Sequence, residues 1–128
     1  MVGKPKIVIV DHHPLFREGM KLLIEKEGIG IVTGEAENSL HFQDLIQNLS
    51  PDLVLIEIEL PALGSFEAVR RTLAQKPDLK ILAMTMQGDY FNIQTFKEAG
   101  FKGLLLKSSG KKEIENAITK ILSGEILF

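Results

Sequence analysis

The chain has 128 residues, of which 45% are hydrophobic and 25% are charged, and its formal net charge at pH 7 is −2. This length predicts one domain with a core large enough to fold without disulfides or a structural metal. Cysteine is absent, which excludes disulfides and thiolate zinc sites. The weak negative charge gives no support for direct nucleic-acid or membrane binding by this domain. With no apolar run of membrane-spanning length and no secretory signal, we expect a cytoplasmic protein.

Five short apolar runs predict five β-strands. In chain order they are Lys6–Val10, Ile29–Ala36, Asp52–Ile56, Lys80–Met84 and Gly103–Leu106. Runs that are apolar at successive positions are typical of strands buried on both faces of a parallel sheet.

Helical patterns follow each of these runs. Pro14 suits the first turn of a helix, and Gly28 and Gly100 suit helix C-termini. The apolar positions that outline the five helices are, in chain order, Leu15, Phe16, Leu22 and Leu23; Phe42, Leu45, Ile46 and Leu49; Phe66, Val69 and Leu73; Ile93 and Phe96; and Ile114, Ala117, Ile118, Ile121 and Leu122. Several repeat the i, i+3, i+4, i+7 spacing of an amphipathic helix.

The alternation of strands and helices predicts the fold class. It indicates an α/β protein with a parallel sheet, right-handed crossovers and helices on both faces. Five strands are too few for the eight-stranded barrel, so we expect an open, doubly wound (βα)5 sheet. Ligands of such sheets bind outside the carboxyl ends of the strands.

Polar side chains stand where four of the predicted strands end. They are Asp11, His12 and His13, then Glu57, Thr85 and Lys107. Each alone has an ordinary structural role, such as a carboxylate that accepts from a helix N-terminus. Together on one rim they predict a functional site. Glu35 and Glu37, after the second strand, are expected to lie too far to the side.

Motifs of the common enzyme classes are missing from the sequence. It contains no G-x-x-x-x-G-K-[ST] or G-x-G-x-x-G phosphate-binding loop and no G-x-S-x-G nucleophile elbow. Ser108 and Ser109 lie near the rim without an evident base. We therefore expect a protein that is not an enzyme.

The stretches "IVIVDHHPLFREGMKLLIE", "PDLVLIEIELP", "PDLKILAMTMQGD" and "EAGFKGLLLKSS" carry a family resemblance. The sequence resembles the receiver domain of two-component response regulators, in the branch with a LuxR-type helix-turn-helix. The resemblance covers nearly the whole chain and implies a flavodoxin-like sheet with strand order 2-1-3-4-5. It also implies that residues 1–128 form a single receiver domain from a longer regulator with a C-terminal DNA-binding domain.

The resemblance implies a role for each rim residue. Receivers of this family hold Mg²⁺ with two acids after the first strand and accept a phosphoryl group on an aspartate after the third. Here Asp11 matches the first acid, His12 stands at the second, and Glu57 stands at the phosphoacceptor position. Thr85 and Lys107 match the phosphate-contacting residues of the family. His13 fits the usual "HP" of the branch and calls for no special role.

These departures predict altered chemistry. An imidazole at position 12 removes a charge and suits Mg²⁺ poorly, so we expect weak or absent Mg²⁺ binding and no cofactor. Any metal would be held by Asp11 and Glu57. The extra methylene of Glu57 displaces its carboxylate, and a misplacement of about 1 Å can cost roughly 10²-fold in rate. Leu104 replaces the aromatic switch residue of the family.

The leading hypothesis is an atypical receiver in which Glu57 imitates part of the phosphorylated state and no histidine kinase is needed. Two alternatives remain open: a receiver that still accepts phosphate with Mg²⁺, and a metal or small-ligand sensor built on Asp11, His12 and Glu57. The resemblance implies a homodimer contact through helix 4, strand 5 and helix 5. The polar residues expected on that surface are Tyr90, Lys97, Lys102, Lys111, Lys112, Glu113 and Glu115.

Overall fold

The computed structural model describes residues 3–61, 64–86 and 92–128, and in these residues five strands alternate with five helices. The strands are β1 Lys6–Val10, β2 Ile31–Ala36, β3 Leu53–Glu57, β4 Lys80–Thr85 and β5 Gly103–Leu106. The helices are α1 Pro14–Lys26, α2 Ser39–Ile46, α3 Ser65–Gln75, α4 Ile93–Ala99 and α5 Lys111–Leu122. No helix in these ranges is long and apolar enough to cross a bilayer.

The strands form one parallel sheet in the order β2-β1-β3-β4-β5, which confirms the predicted (βα)5 fold and strand order. The order reverses between β1 and β3 at the centre of the sheet. In the register of this central pair, Val10 lies opposite Ile56. The next residues along the two strands, Asp11 and Glu57, therefore come out side by side at the switch point, where ligands of such sheets bind.

Two apolar layers cover the central strands. Val8, Val10, Val54 and Ile56 pack with residues of α2, α3 and α4 on one face, while the alternate residues of the same strands pack with α1 and α5 on the other. All residues of β3 are buried. The continuous apolar runs of the sequence thus reflect burial on both faces, as predicted.

Helix α1 begins at Pro14, as the sequence predicts, but only part of its apolar spacing faces the core. Met20 and Ile24 are buried, and Phe16 packs at the edge of the core. In contrast, Leu15 and Leu22 are 82% and 66% exposed. A spacing of seven residues identifies a helix, but it does not say which side of that helix meets the sheet.

Both edges of the sheet depart from a regular open strand. At one edge the β1–β2 register shifts between Ile7 and Val8. At the other edge Leu127 pairs with Gly103: the Leu127 N–H donates to the Lys102 carbonyl at 2.8 Å, and the Leu104 N–H donates to the Leu127 carbonyl at 3.3 Å. Backbone groups of β5 are thereby satisfied beyond the five-stranded ladder.

Candidate functional site

Two carboxylates lie side by side at the switch point. Asp11 is 0% exposed and Glu57 is 1% exposed. Asp11 directly follows β1, and Glu57 is the last residue of β3. Burying two neighbouring acids is costly unless cations or hydrogen-bond donors offset their charge.

Lys107 supplies a positive charge to this pair. Its ammonium lies 2.7 Å from Asp11 Oδ2 and 3.5 Å from Glu57 Oε1, and its side chain is 2% exposed. The backbone N–H of Lys107 donates to the Thr85 carbonyl at 2.7 Å, which fixes the start of the loop after β5. The Lys107 ammonium also lies 4.4 Å from the centre of the Phe16 ring. The closest charge contact therefore joins Lys107 to Asp11 rather than to Glu57.

His12 holds the carboxylate of Glu57 with two groups. Its backbone N–H donates to Glu57 Oε2 at 2.7 Å, and its ring Nδ1 lies 2.5 Å from the same oxygen. His12, which the resemblance aligns with the second acid of the family, is thus a direct partner of Glu57, which it aligns with the phosphoacceptor. One oxygen of Glu57 is engaged by His12 without any metal.

His13 also belongs to the site, although the sequence placed it on the rim without a special role. Its backbone N–H donates to Asp11 Oδ1 at 2.8 Å, and its ring Nδ1 lies 3.2 Å from that oxygen. The same nitrogen is 3.0 Å from the Lys107 ammonium and 3.8 Å from Glu57 Oε1. The sequence signal was the doublet of histidines directly after a strand-end acid.

Arg17 links the site to the acid after β2. Its Nη1 donates to the Asp11 carbonyl at 2.7 Å, and its Nε donates to Glu35 Oε1 at 3.2 Å. Glu35 also faces Lys21 at 3.7 Å. Glu35 therefore lies to the side, as expected, and it contributes by holding Arg17 against the backbone of Asp11.

The two buried acids have opposite proton affinities. Burial raises the pKa of Asp11, but the Lys107 ammonium and the His13 N–H outweigh burial and bring this pKa below its ordinary value. Burial also raises the pKa of Glu57, and the adjacent Asp11 carboxylate adds to the increase against the opposing His12 N–H. Of the two groups, Glu57 is the one that retains a proton to higher pH.

This asymmetry gives a pH-dependent prediction for Glu57→Gln. Because the folded-state pKa of Glu57 is raised, the wild type loses stability as pH rises from the ordinary glutamate value of about 4.3 through the folded-state pKa. Glutamine does not titrate, so the variant should gain stability relative to the wild type between about pH 4 and neutrality. Urea unfolding at both pH values measures this difference, with the exposed Glu37→Gln as the control. A difference that shrinks towards neutrality would contradict the assigned direction.

The remaining predicted residues, Thr85 and Leu104, lie on the strands β4 and β5. Thr85 is buried, and its hydroxyl donates to Glu59 Oε2 at 3.3 Å. Leu104 is partly buried against the apolar layer on the α2–α3–α4 face.

On the predicted interaction surface, Tyr90 lies outside the described residues, and the other six lie within them. Lys97 and Lys112 are exposed, and Lys102 and Glu115 are partly buried. Lys111 forms an ion pair with Glu27, and the Glu113 side chain accepts from the Gly110 N–H at 3.4 Å at the start of α5. Lys111 and Glu113 thus have partners within the chain.

Comparison with protein families decides the relationship. A family model described as the response regulator receiver domain matches residues 7–119. The chain belongs to this family. Response regulator GacA of Pseudomonas aeruginosa is 33% identical over 122 residues, which cover 94% of this chain and 56% of that protein. Transcriptional regulatory protein DegU of Brevibacillus brevis is 30% identical, covering 95% of this chain and 52% of that protein. The receiver domain thus spans about half the length of these relatives.

A solved structure shows the same likeness. The receiver domain superposes on a two-component response regulator of the LuxR family from Aurantimonas sp. SI85-9A1 with a TM-score of 0.89 and 35% identity. The match covers 98% of this chain and 90% of the other.

The residues of this receiver domain do not fit the Mg²⁺ ion that the family implies. Mg²⁺ requires a near-octahedral set of oxygen ligands and is usually bound through carboxylates. Here the residues beside Asp11 and Glu57 contribute two imidazoles, and the Lys107 ammonium lies against Asp11 Oδ2.

Proposed function

We propose that this receiver domain regulates transcription as part of a longer response regulator, through protein contacts that do not depend on aspartyl phosphorylation. The observation that supports the proposal is the set of contacts that the Glu57 carboxylate makes. Its buried carboxylate accepts from the His12 backbone at 2.7 Å and faces the Lys107 ammonium at 3.5 Å. The group at the acceptor position thus already has partners of the kind that a bound phosphoryl group would seek.

The positions around Glu57 support loss of phosphoryl acceptance. His12 offers an imidazole where the family has a metal-binding acid, and it contacts one of the two Glu57 oxygens that could attack phosphorus. The longer glutamate side chain also places its carboxylate differently from an aspartate, and transfer rates are sensitive to such displacements. The domain on this proposal acts as a binding module in the cytoplasm, not as an enzyme, and no histidine kinase controls it.

The contacts through which it acts are assigned to the face formed by α4, β5 and α5. Lys97 and Lys112 are exposed there and belong to no ion pair of the described residues, so both can meet acidic groups of a second copy, although the Lys97 ammonium also lies 5.9 Å from the centre of the Phe128 ring. The relatives of about twice this length include a protein called a transcriptional regulatory protein. A C-terminal DNA-binding domain is the proposed output partner, and this domain itself contacts neither DNA nor membrane.

Intact mass after incubation with Mg²⁺ and a small phosphodonor tests the proposal. The wild type should gain no phosphoryl group, whereas the double variant Glu57→Asp, His12→Asp should gain one, because it restores an acceptor of ordinary length and an oxygen ligand for Mg²⁺. The single variants serve as controls and show which change limits the reaction. Phosphorylation of the wild type would replace the proposal with the alternative of a receiver that still accepts phosphate.

A further inference from the structure

We propose that Asp11, His12, His13 and Glu57 form a binding site for a divalent first-row transition ion that favours imidazole ligands, with Zn²⁺ as its representative. One ligand atom from each residue, two ring nitrogens and two carboxylate oxygens, lies within 4.8 Å of all the others. In the leading hypothesis we expect no metal from the sequence and name only Asp11 and Glu57 as candidate ligands, whereas the alternative of a metal sensor also includes His12. The structure adds His13 to the same point.

The donor set and its spacing suit Zn²⁺. Zinc binds imidazole and carboxylate groups in tetrahedral geometry at about 2.0–2.2 Å, which separates neighbouring ligand atoms by about 3.3–3.6 Å. His13 Nδ1 lies 3.2 Å from Asp11 Oδ1 and 3.8 Å from Glu57 Oε1. His12 Nδ1 is closer to Glu57, at 2.5 Å, so this pair would open as an ion enters. Because the four ligand atoms lie within 4.8 Å of one another, side-chain shifts on the order of 1 Å would bring them to the tetrahedral spacing.

A buried oxygen of Glu57 points independently to a cation. Glu57 Oε1 accepts no hydrogen bond from any residue in the described ranges, although Glu57 is 1% exposed. A buried carboxylate oxygen without a donor is rare, and an ion is one of the common reasons for it. The Lys107 ammonium lies 3.5 Å from this oxygen and pairs instead with Asp11 Oδ2 at 2.7 Å.

Lys107 is therefore the competitor of the ion. Its ammonium occupies the space beside Asp11 Oδ2 and lies 3.0 Å from His13 Nδ1. A divalent ion carries twice the charge of the ammonium and coordinates imidazole nitrogens and carboxylate oxygens at about 2.0–2.2 Å, closer than a hydrogen-bonding ammonium approaches them. The histidine side chains are 37% and 51% exposed, so an ion can reach the site from solvent past them.

Titration with Zn²⁺ alone, and with Co²⁺ as a spectroscopic probe, tests this site in the absence of phosphodonor. The wild type should bind one Zn²⁺ and should give the intense visible bands of tetrahedral Co²⁺. His12→Ala and His13→Ala should each weaken Zn²⁺ binding by roughly 10- to 100-fold, as loss of a ligand does at least as much harm as loss of a residue that orients one. Both histidines are at the surface, so these variants should fold.

His41→Ala is the matched control, because His41 is the third histidine of the chain and is exposed on α2. It should bind Zn²⁺ as the wild type does. The site is overturned if the double variant His12→Ala, His13→Ala retains wild-type affinity, if His41→Ala causes the loss, or if bound Co²⁺ shows only octahedral bands. These outcomes do not bear on phosphoryl acceptance, which the mass experiment decides separately.

Discussion

Lys107→Met should destabilise the folded receiver domain by about 3–5 kcal/mol, the usual cost of removing one partner from a buried ion pair. Lys107 is 2% exposed in its side chain and lies 2.7 Å from Asp11 Oδ2. Methionine preserves most of the volume but leaves Asp11 and Glu57 buried together without the cation. Urea unfolding followed by circular dichroism, in buffer containing a metal chelator, measures the change.

The matching control is Lys111→Met, which removes a lysine of an exposed ion pair with Glu27. Exposed substitutions of this kind usually change the free energy of unfolding by less than about 0.5 kcal/mol. In the background of Lys107→Met, Glu57→Gln should restore part of the loss because it removes one of the uncompensated charges. A cost below about 1 kcal/mol for Lys107→Met would mean that hydrogen bonds from His12 and His13, not the ammonium, stabilise the two acids.

Phe96→Ala should also cost about 3–5 kcal/mol, in this case through a cavity. Phe96 is 0% exposed and is the buried residue of the short helix α4. Its ring centre lies 5.1 Å from that of Phe66 and 5.3 Å from that of Phe101. Removing it takes away the anchor of α4, and the measurement is again urea unfolding.

Phe128→Ala is the control for this prediction, since the Phe128 ring is 36% exposed and lies at the margin of the same aromatic cluster. Its loss should cost less than about 1.5 kcal/mol, because an exposed ring leaves no enclosed cavity. Phe96→Leu should recover part of the stability that alanine loses. Equal effects of Phe96→Ala and Phe128→Ala would show that packing around α4 is looser than the buried contacts indicate.

The sequence predicted the architecture because strands that are buried on both faces are apolar at successive positions. The apolar runs Lys6–Val10 and Gly103–Leu106 match β1 and β5 residue for residue. The orientation of the helices was harder to predict from the sequence: Leu15 and Leu22 are apolar yet exposed. The side of an amphipathic helix that meets the sheet depends on crossover geometry. The spacing of apolar residues within the helix does not determine it.

The membership of the site was predictable in part. Asp11, Glu57 and Lys107 were placed on one rim by strand ends alone, and the structure brings them together. The part played by His13 was missed, because the direction of an imidazole ring after a strand depends on the turn that follows. The proton affinities of the two acids could not be predicted from the sequence, because they depend on burial and on the distances that join Asp11, Glu57 and Lys107, which are far apart in the sequence.

The irregular edges of the sheet affect the tendency of the protein to aggregate at high concentration. An exposed strand edge is a template for intermolecular pairing, and regular edges favour aggregation. Here Leu127 occupies backbone groups beside β5, and the register shift between Ile7 and Val8 disturbs the ladder to β2. To extend the sheet, another molecule would have to displace Leu127 at the β5 edge or match the irregular β2 strand at the opposite edge. Extension of the sheet by a second molecule is therefore disfavoured at the start of β5, and the irregular pairing of β2 makes that edge a poorer template than a regular strand.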